Sequence, residues 1–385
     1  MANLIIDGSV LEGGGQILRN SISLSALLRK PITIQKVRNG RRPPGLKNQH
    51  RTGAHLLQEM LCSIAERVYS GILLAAEIAS AEVTGAKNGS SQVDFVPKHI
   101  AAGQYAADPI TAGAATLLLQ ISLPLLLFAP EASTLTLKGG TNATGAPQAD
   151  YIQHVFLPFA RRHFGLNADL DIRRRGYFPK GGGQIDVKIT PHMRLTSASV
   201  LERGSVTRIG GIAHFAGLPG QIGTRIADAA VACLAARGFS QGASTPVPVE
   251  VVSRREKNEN TVGAGSGLVL WAELDGGGII GGSCVGSKQK GPEDVAKEAT
   301  EELLKGLDSA ACVDEWLQDQ IIILMALADG ESKVRCGELT LHTRTAIWVA
   351  EQLTGARFNV TQQGTNSIIS CQGIGYTSPQ ALAIQ

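Results

Sequence analysis

The stretch Asn3-Leu4-Ile5-Ile6-Asp7, the turn Gly13-Gly14-Gly15 and the run from there through Arg29 to Ile32-Thr33-Ile34-Gln35-Lys36-Val37-Arg38 decide the fold class. Asn3 to Asp7 reads as a strand, a short apolar run closed by Gly8. The segment after Gly15 through Arg29 repeats its apolar positions every three to four residues, which predicts a helix. Ile32 to Arg38 alternates with a period of two and reads as a second strand, and Asn48 to about Arg67 as a second helix. Strand, helix, strand, helix is α/β or α+β texture.

Similar units recur downstream: a helix after Asp150, then strands near Asp169 to Arg173 and Gln184 to Ile189. Gly-Gly-Gly-Gln-Ile occurs at both Gly13–Ile17 and Gly181–Ile185, a hint that a strand-and-helix unit repeats. From about Ser197 the texture changes to a strand Val206 to His214, a helix Gly220 to Ala236 and a charged polar stretch Ser253 to Asn260. A smaller α/β domain inserted over 197–311 accounts for this, within a discontinuous large domain of residues 1–196 and 312–385. In the last part, Asp314 to Ala328 reads as one helix, and a strand-like Glu338 to Leu341 precedes a helix starting near Thr343.

The chain has 385 residues, 43% hydrophobic and 18% charged, enough to bury a large core. A net charge of +3 permits a polyanionic partner without indicating a dedicated nucleic-acid binder. Six scattered cysteines form no metal-ligand spacing and fit reduced thiols in an intracellular protein. No secretory signal is visible in the first fifteen residues. No charge occurs between Asp108 and Glu131, but Gly113, Gln120, Ser122 and Pro124 interrupt the run, so a buried helix ending before Pro124 is expected and no membrane span.

Glycine-rich loops are the first candidates for chemistry, since backbone N–H groups at a helix N-terminus cradle phosphate. Glu12-Gly13-Gly14-Gly15-Gln16 leads into a helix carrying Arg19, so amides, a guanidinium and a carboxylate can converge on a phosphate and its metal. A plain tight turn reads as well. Gly281 to Lys288 fails as a Walker loop because Ser287 precedes Lys288. Two basic groups suit RNA phosphates: Arg38, Arg41, Arg42, Lys47 and Arg51, and Arg173, Arg174, Arg175 and Lys180. A solvated surface is the plainer account of each.

His342 is the sharpest feature, placed where a helix begins and able to offer a nitrogen lone pair to phosphorus. The ordinary alternative is a capping or packing histidine. One helix earlier, Trp316, Asp319 and Gln320 are spaced i, i+3, i+4, which aligns an aromatic, a carboxylate and an amide on one face.

Together these segments resemble the RNA 3′-terminal phosphate cyclase family from end to end. The similarity runs through Asp7-Gly8 to Arg19, Gly40-Arg41 to Gln49-His50, Lys138 to Asn142 with Ala146-Pro147-Gln148, Arg175-Gly176-Tyr177-Phe178-Pro179-Lys180-Gly181-Gly182-Gly183, Asp319-Gln320 and Leu341-His342-Thr343. The resemblance implies a large domain of three repeats similar to the C-terminal domain of translation initiation factor 3, with a small inserted α/β domain. It implies ATP as substrate with Mg²⁺ or Mn²⁺, and RNA 3′-phosphate ends as partner. His342 matches the nucleophile that becomes adenylylated. Gln120, Pro147, Asp319 and Gln320 match nucleotide-contacting positions, Glu12 the metal-associated acid, and Arg19, Arg38, Arg41, Gln49 and His50 positions near phosphate. Trp316, counted among the ATP contacts, stands where the family generally has Tyr, keeping a stacking surface and losing a hydroxyl.

The function so implied is conversion of an RNA 3′-phosphate to a 2′,3′-cyclic phosphodiester through histidine-bound AMP and an RNA adenylate. Two rivals remain: a catalytically silent relative acting in ribosome assembly, which retention of His342, Asp319 and Gln320 opposes, and an enolpyruvyl transferase of related architecture. Resemblance to eukaryotic members suggests the nucleus, although no confident nuclear signal is legible. Oligomeric state is not readable.

Overall fold

A computed structural model describes residues 3–39, 70–87, 89–109, 113–240, 242 and 246–378. It has mixed α/β architecture, in which one strand order occurs three times. The first sheet runs Leu4–Asp7, Ile32–Gln35, Val93–Val96, Glu82–Thr84; its first pair is parallel and the other two antiparallel. Gln104–Ala107, Ser133–Gly139, Gly183–Thr190 and Asn167–Gly176 repeat that order and those directions, as do Ser199–Val200, Glu331–Cys336, Asn366–Gln372 and Arg357–Gln363. In each set a helix joins the parallel pair, because a parallel connection must cross over the sheet face.

A fourth sheet, ordered Val249–Arg255, Val206–Ala216, Gly265–Leu274, Ile279–Val285, interrupts the third set between Ser199–Val200 and the helix that leads to Glu331–Cys336. Its helices Gln221–Ala236 and Pro292–Asp308 cover one face and share a separate core with Ile209, Ala213, Leu268 and Leu270. Its other face presents Ile212, Val269, Trp271 and Ile279 to the main core.

The helix Gly15–Leu28 is buried along almost its whole length, since it packs against both Ala115–Leu126 and Leu341–Thr354. That explains an apolar pattern wider than one stripe. It stops where Arg29 turns left-handed at φ 50°.

Several boundaries differ from the sequence reading. The strand read as Ile32 to Arg38 ends at Gln35, because Lys36 and Arg38 take φ of 51° and 55°, outside β geometry. The helix expected to end before Pro124 runs from Ala115 to Leu126, sacrificing only the proline's missing N–H. The polar stretch read from Ser253 begins inside a strand, Val249–Arg255, which pairs with Val206–Ala216. Asp314 to Ala328 divides at Ile321 into Glu315–Gln320 and Ile322–Leu327. Residues 338–341 form no strand; the strand is Glu331–Cys336, and Leu341 already belongs to the next helix. The helix expected over Asn48 to Arg67 lies outside the described residues. Among the described residues no helix is long and apolar enough to cross a membrane.

Candidate active site

His342 is the second residue of the helix Leu341–Thr354, whose start is fixed from two sides. The Thr340 hydroxyl accepts from the Thr343 N–H at 3.0 Å, an N-cap that satisfies one of the unpaired donors of the first turn. The buried Gln318 accepts from the Thr340 N–H at 3.1 Å and from the Thr343 hydroxyl at 2.5 Å. The helix that carries Asp319 therefore also holds the start of the one that carries His342. Its own N-cap, Asp314, accepts from the N–H groups of Trp316 and Leu317 at 2.9 Å, from Tyr151 Oη at 2.7 Å and from the Gly281 N–H at 2.6 Å.

With its backbone pinned, the His342 side chain remains 52% exposed, and its Nδ1 lies 3.8 Å from Glu12 Oε2. Glu12 is positioned by the same helix: its N–H donates to Thr345 Oγ1 at 3.2 Å. The Gly14 backbone lies so near that a Cβ there would meet Glu12 Oε1 at 2.0 Å, so the glycine makes room for the carboxylate.

Arg19, one turn into Gly15–Leu28, donates to Gln16 Oε1 at 2.6 Å and lies within electrostatic reach of Glu12 and Asp319. Burial pulls its pKa below the usual arginine value, and the two carboxylates oppose that. Burial pushes the Asp319 carboxyl up to about 7 against the pull of Arg19, with Asp314 and Glu12 adding to the rise. Asp319 is therefore partly protonated near neutrality and ionises readily beside an added cation.

Gln120, Asp319 and Gln320 line one narrow cleft with Gln16, Asn20 and Thr116. The buried Pro147 lies outside that lining and is tied to it through its carbonyl, which accepts from Thr116 Oγ1 at 2.8 Å. Trp316 looks elsewhere. Its Nε1 donates to Glu302 Oε1 at 2.7 Å, and its ring lines a separate cavity of about 570 Å³ with Glu298, Lys305 and Glu338. The i, i+3, i+4 spacing is real, but the three side chains serve two spaces. Arg38 is buried at the end of the first parallel pair. Arg41, Gln49 and His50 lie outside the described residues.

The second basic group is divided. Arg175 is 1% exposed and makes a bidentate pair with Asp150 at 2.6 and 2.8 Å, with Glu256 at 2.7 Å on its Nε, so it is not available to RNA. Arg173 pairs with Asp171 and Asp186, while Arg174 and Lys180 are exposed. Sequence reasoning passed over Gln318, Thr345 and Asn20. Thr340-x-x-Thr343 was a legible capping signal for the first, whereas nothing local marked the other two.

Among the described residues no group of three His, Cys, Asp or Glu side chains is placed to hold a metal. Glu12 and Asp319 offer the one or two carboxylates that Mg²⁺ takes from a protein when phosphates supply its other ligands, so the residues fit such an ion.

An exposed imidazole 3.8 Å from Glu12, which in turn interacts with Arg19 and Asp319, at a helix start on an α/β scaffold, suits the class of enzymes that act on phosphate groups. The family model described as RNA 3′-terminal phosphate cyclase matches residues 10–68 and 65–360. The RNA 3′-terminal phosphate cyclase of Pyrobaculum neutrophilum is 38% identical over 371 residues, 96% of this chain and 99% of that protein. That of Drosophila melanogaster is 37% identical over 377 residues, 97% and 98% of the two chains. A solved structure, the enolpyruvyl transferase NikO from Streptomyces tendae, matches at 11% identity with a TM-score of 0.24, over 97% of this chain and 82% of that one, too low to bear on fold or function. The chain belongs to the RNA 3′-terminal phosphate cyclase family and is an enzyme of that kind.

Proposed function

We propose that the protein closes RNA 3′-phosphates to 2′,3′-cyclic phosphodiesters at the expense of ATP, with AMP carried on His342. The observation that carries this reading is the exposed His342 imidazole 3.8 Å from Glu12, on a backbone fixed by Gln318 and Thr340. An imidazole nitrogen attacks the α-phosphorus, pyrophosphate leaves, and a phosphoramidate results whose P–N bond breaks easily once the nitrogen is protonated. A 3′-phosphate oxygen of the RNA then takes the AMP, forming a pyrophosphate-linked adenylate and restoring the histidine. The adjacent 2′-hydroxyl attacks the former 3′-phosphate, AMP departs, and the ring closes. That attack is intramolecular, so positioning supplies much of its acceleration.

In this reading Gln120, Pro147, Asp319 and Gln320 hold the nucleotide, and Arg19, Arg38, Arg41, Gln49 and His50 offset charge on the phosphates. Mg²⁺ or Mn²⁺, held by Glu12, supplies further charge neutralisation when bound. We further propose the division into a large domain, 1–196 and 312–385, of three units like the C-terminal domain of initiation factor 3, and an inserted domain, 197–311. The threefold strand order and the separate core of the fourth sheet support it. A nuclear location is part of the same proposal.

The test is incubation with α-labelled ATP and metal, followed by an RNA 3′-phosphate end. Acid-labile covalent label on the wild type, absent from His342→Ala, and RNA ends that become resistant to phosphatase are the expected results. Label persisting in His342→Ala moves the nucleophile elsewhere.

A further inference from the structure

The three sheets that share one strand order can be compared face by face. In the third, Val334, Cys336, Ile369 and Cys371 point into the main core. Alternation along the strand sends Glu331, Lys333 and Arg335 to the opposite face, where the register places Arg357, Asn359 and Thr361 in line with them, two strands away. None of these six is buried. Lys333 pairs with Glu331 at 2.8 Å, which leaves Arg335 and Arg357 without an ion pair among the described residues. Arg335 Nε is also shielded from solvent with no hydrogen-bond partner among them, as is Nε of Arg203 on the segment entering the fourth sheet. Both guanidinium groups lie within electrostatic reach of the Cys312 thiol and so share one neighbourhood. The equivalent outer faces differ. Strands of the first sheet bring Glu82 and Asp94 there and no basic residue. On the second, Asp169, Asp171 and Asp186 stand among the cations, and Arg173 is taken up by two of them. The third face thus has the fewest carboxylates, and two of its guanidinium groups have nothing to neutralise them.

We propose that this outer face is a track for the RNA strand leading to its 3′-phosphate end, with Arg335 and Arg357 holding backbone phosphates. The inference rests on the cyclase reading above and extends it to the body of the RNA, for which that reading assigns no surface. Connectivity favours the third sheet, because Glu331–Cys336 runs on into the helix that carries His342. From Arg335 to His342 the chain can span at most about 25 Å, a few nucleotides of a single strand, and among residues 337–341 only Glu338 is charged. Chemistry selects the occupant. Phosphodiesters accept from guanidinium groups, and Asn359 and Thr361 add neutral donors for phosphate and sugar oxygens. A protein partner would need an apolar centre to bury, and beside Arg335 this face offers the half-buried Ile368 alone. Phe358 points to the other side, so no aromatic ring is present for bases to stack on, and the contact is to backbone rather than to sequence.

Full-length wild type, Arg335→Gln, Arg357→Gln and Lys188→Gln are titrated with fluorescent oligouridylates of two and ten nucleotides, each ending in a 3′-phosphate. Lys188 is the control, exposed on the outer face of the second sheet. The same RNAs then discharge preformed enzyme-bound AMP. The wild type is expected to bind ten nucleotides roughly tenfold or more tighter than two, and each arginine variant to lose at least about threefold of that gain. Binding of the dinucleotide stays as it was. The slope of log affinity against log salt for the longer RNA should flatten by about 0.7 for each arginine removed. In the discharge reaction the loss should appear in KM for the longer RNA and not in kcat. Absence of a gain with length, a gain that either folded arginine variant keeps in full, or an equal loss in Lys188→Gln overturns the track. Should the half-buried Arg335→Gln not fold, the exposed Arg357→Gln decides alone. If the wild type takes no label from ATP, the cyclase reading fails separately, and the binding titrations, which need no turnover, still decide the track.

Discussion

His342 Nδ1 stands 3.8 Å from Oε2 of Glu12, a pairing made possible because Gly15–Leu28 and Leu341–Thr354 pack side by side with their starts at the same end. The Glu12 backbone is anchored by its N–H donating to Thr345 Oγ1, and the imidazole projects into solvent. One residue is thus fixed and the other accessible, as expected of a nucleophile with an orienting neighbour.

That division predicts different losses at the two positions. His342→Ala removes an exposed side chain and should change stability by no more than about 0.5 kcal/mol while abolishing covalent labelling. Glu12→Gln keeps shape and loses charge, and labelling should fall on the order of a hundredfold without disappearing. Thermal unfolding and labelling rates on the same preparations check both, and a Glu12→Gln protein labelled at the wild-type rate would separate this carboxylate from the chemistry.

Asp319 makes stability depend on pH in the direction opposite to most carboxylates. Burial raises its folded pKa to about 7 from an ordinary value of 3.8, so between these values the folded state binds the proton and the unfolded state does not. Stability contributed by this group is present at low pH and is lost as pH rises from about 4 to 7. Asp319→Asn should remove that slope and stabilise the protein above pH 7, by up to roughly 4 kcal/mol. Urea titrations at pH 5 and 8 measure it; equal differences between variant and wild type at both would refute the shift.

Arg175 tests whether the glycine-rich signature binds RNA or holds the fold. The guanidinium and its partner Asp150 are almost wholly buried, at 1% and 0% exposure. Arg175→Met strands a buried carboxylate and should cost about 3–5 kcal/mol. Adding Asp150→Leu should recover much of that. Retention of stability by Arg175→Met together with a selective loss of RNA binding would return this residue to the ligand-contacting group.

How far the sequence disclosed this molecule depends on what each feature required. The mixed α/β class was legible because Leu4–Asp7 and Gly15–Leu28 follow their local periods. His342 was legible because a helix start is a local signal, even though the strand before it was placed several residues too late. Asn142 illustrates what was hidden. It contacts Gln148, Asp150, Arg175 and His214, which reach it from three separate segments, and no local period encodes such a convergence. Trp316 shows a second limit: helical spacing assigns a face, but the partner on the other side, Glu302, decides which space the ring enters.

The same network yields a prediction about acid. His214 is fully buried, with Tyr177 Oη 2.9 Å from its Nδ1 and Gln148 Oε1 and Asn142 Nδ2 each 3.0 Å from its Nε2. Burial drives its pKa down to about 3; Arg175 and Arg254 push the same way, and Asp150 opposes them. The folded state therefore keeps this imidazole neutral where the unfolded chain, with an ordinary value of 6.5, takes up a proton. Stability from His214 is complete above about pH 6.5 and drains away as pH falls toward 3, on the order of 5 kcal/mol in all. Depression of the Asp150 carboxyl by Arg175 acts in the same direction at lower pH. His214→Asn leaves no group to protonate at this position, so its stability should fall less steeply between pH 6.5 and 4 than that of the wild type, whatever its value at pH 7. Denaturant titrations across that range compare the two slopes, and parallel curves would mean that the ring does not resist protonation. Because His214 lies on Val206–Ala216 and its partners lie on the second of the three repeated sheets and its adjoining loops, loss of this contact should also loosen the fourth sheet first. Amide exchange at pH 4 should show that segment opening ahead of the helix Gly15–Leu28.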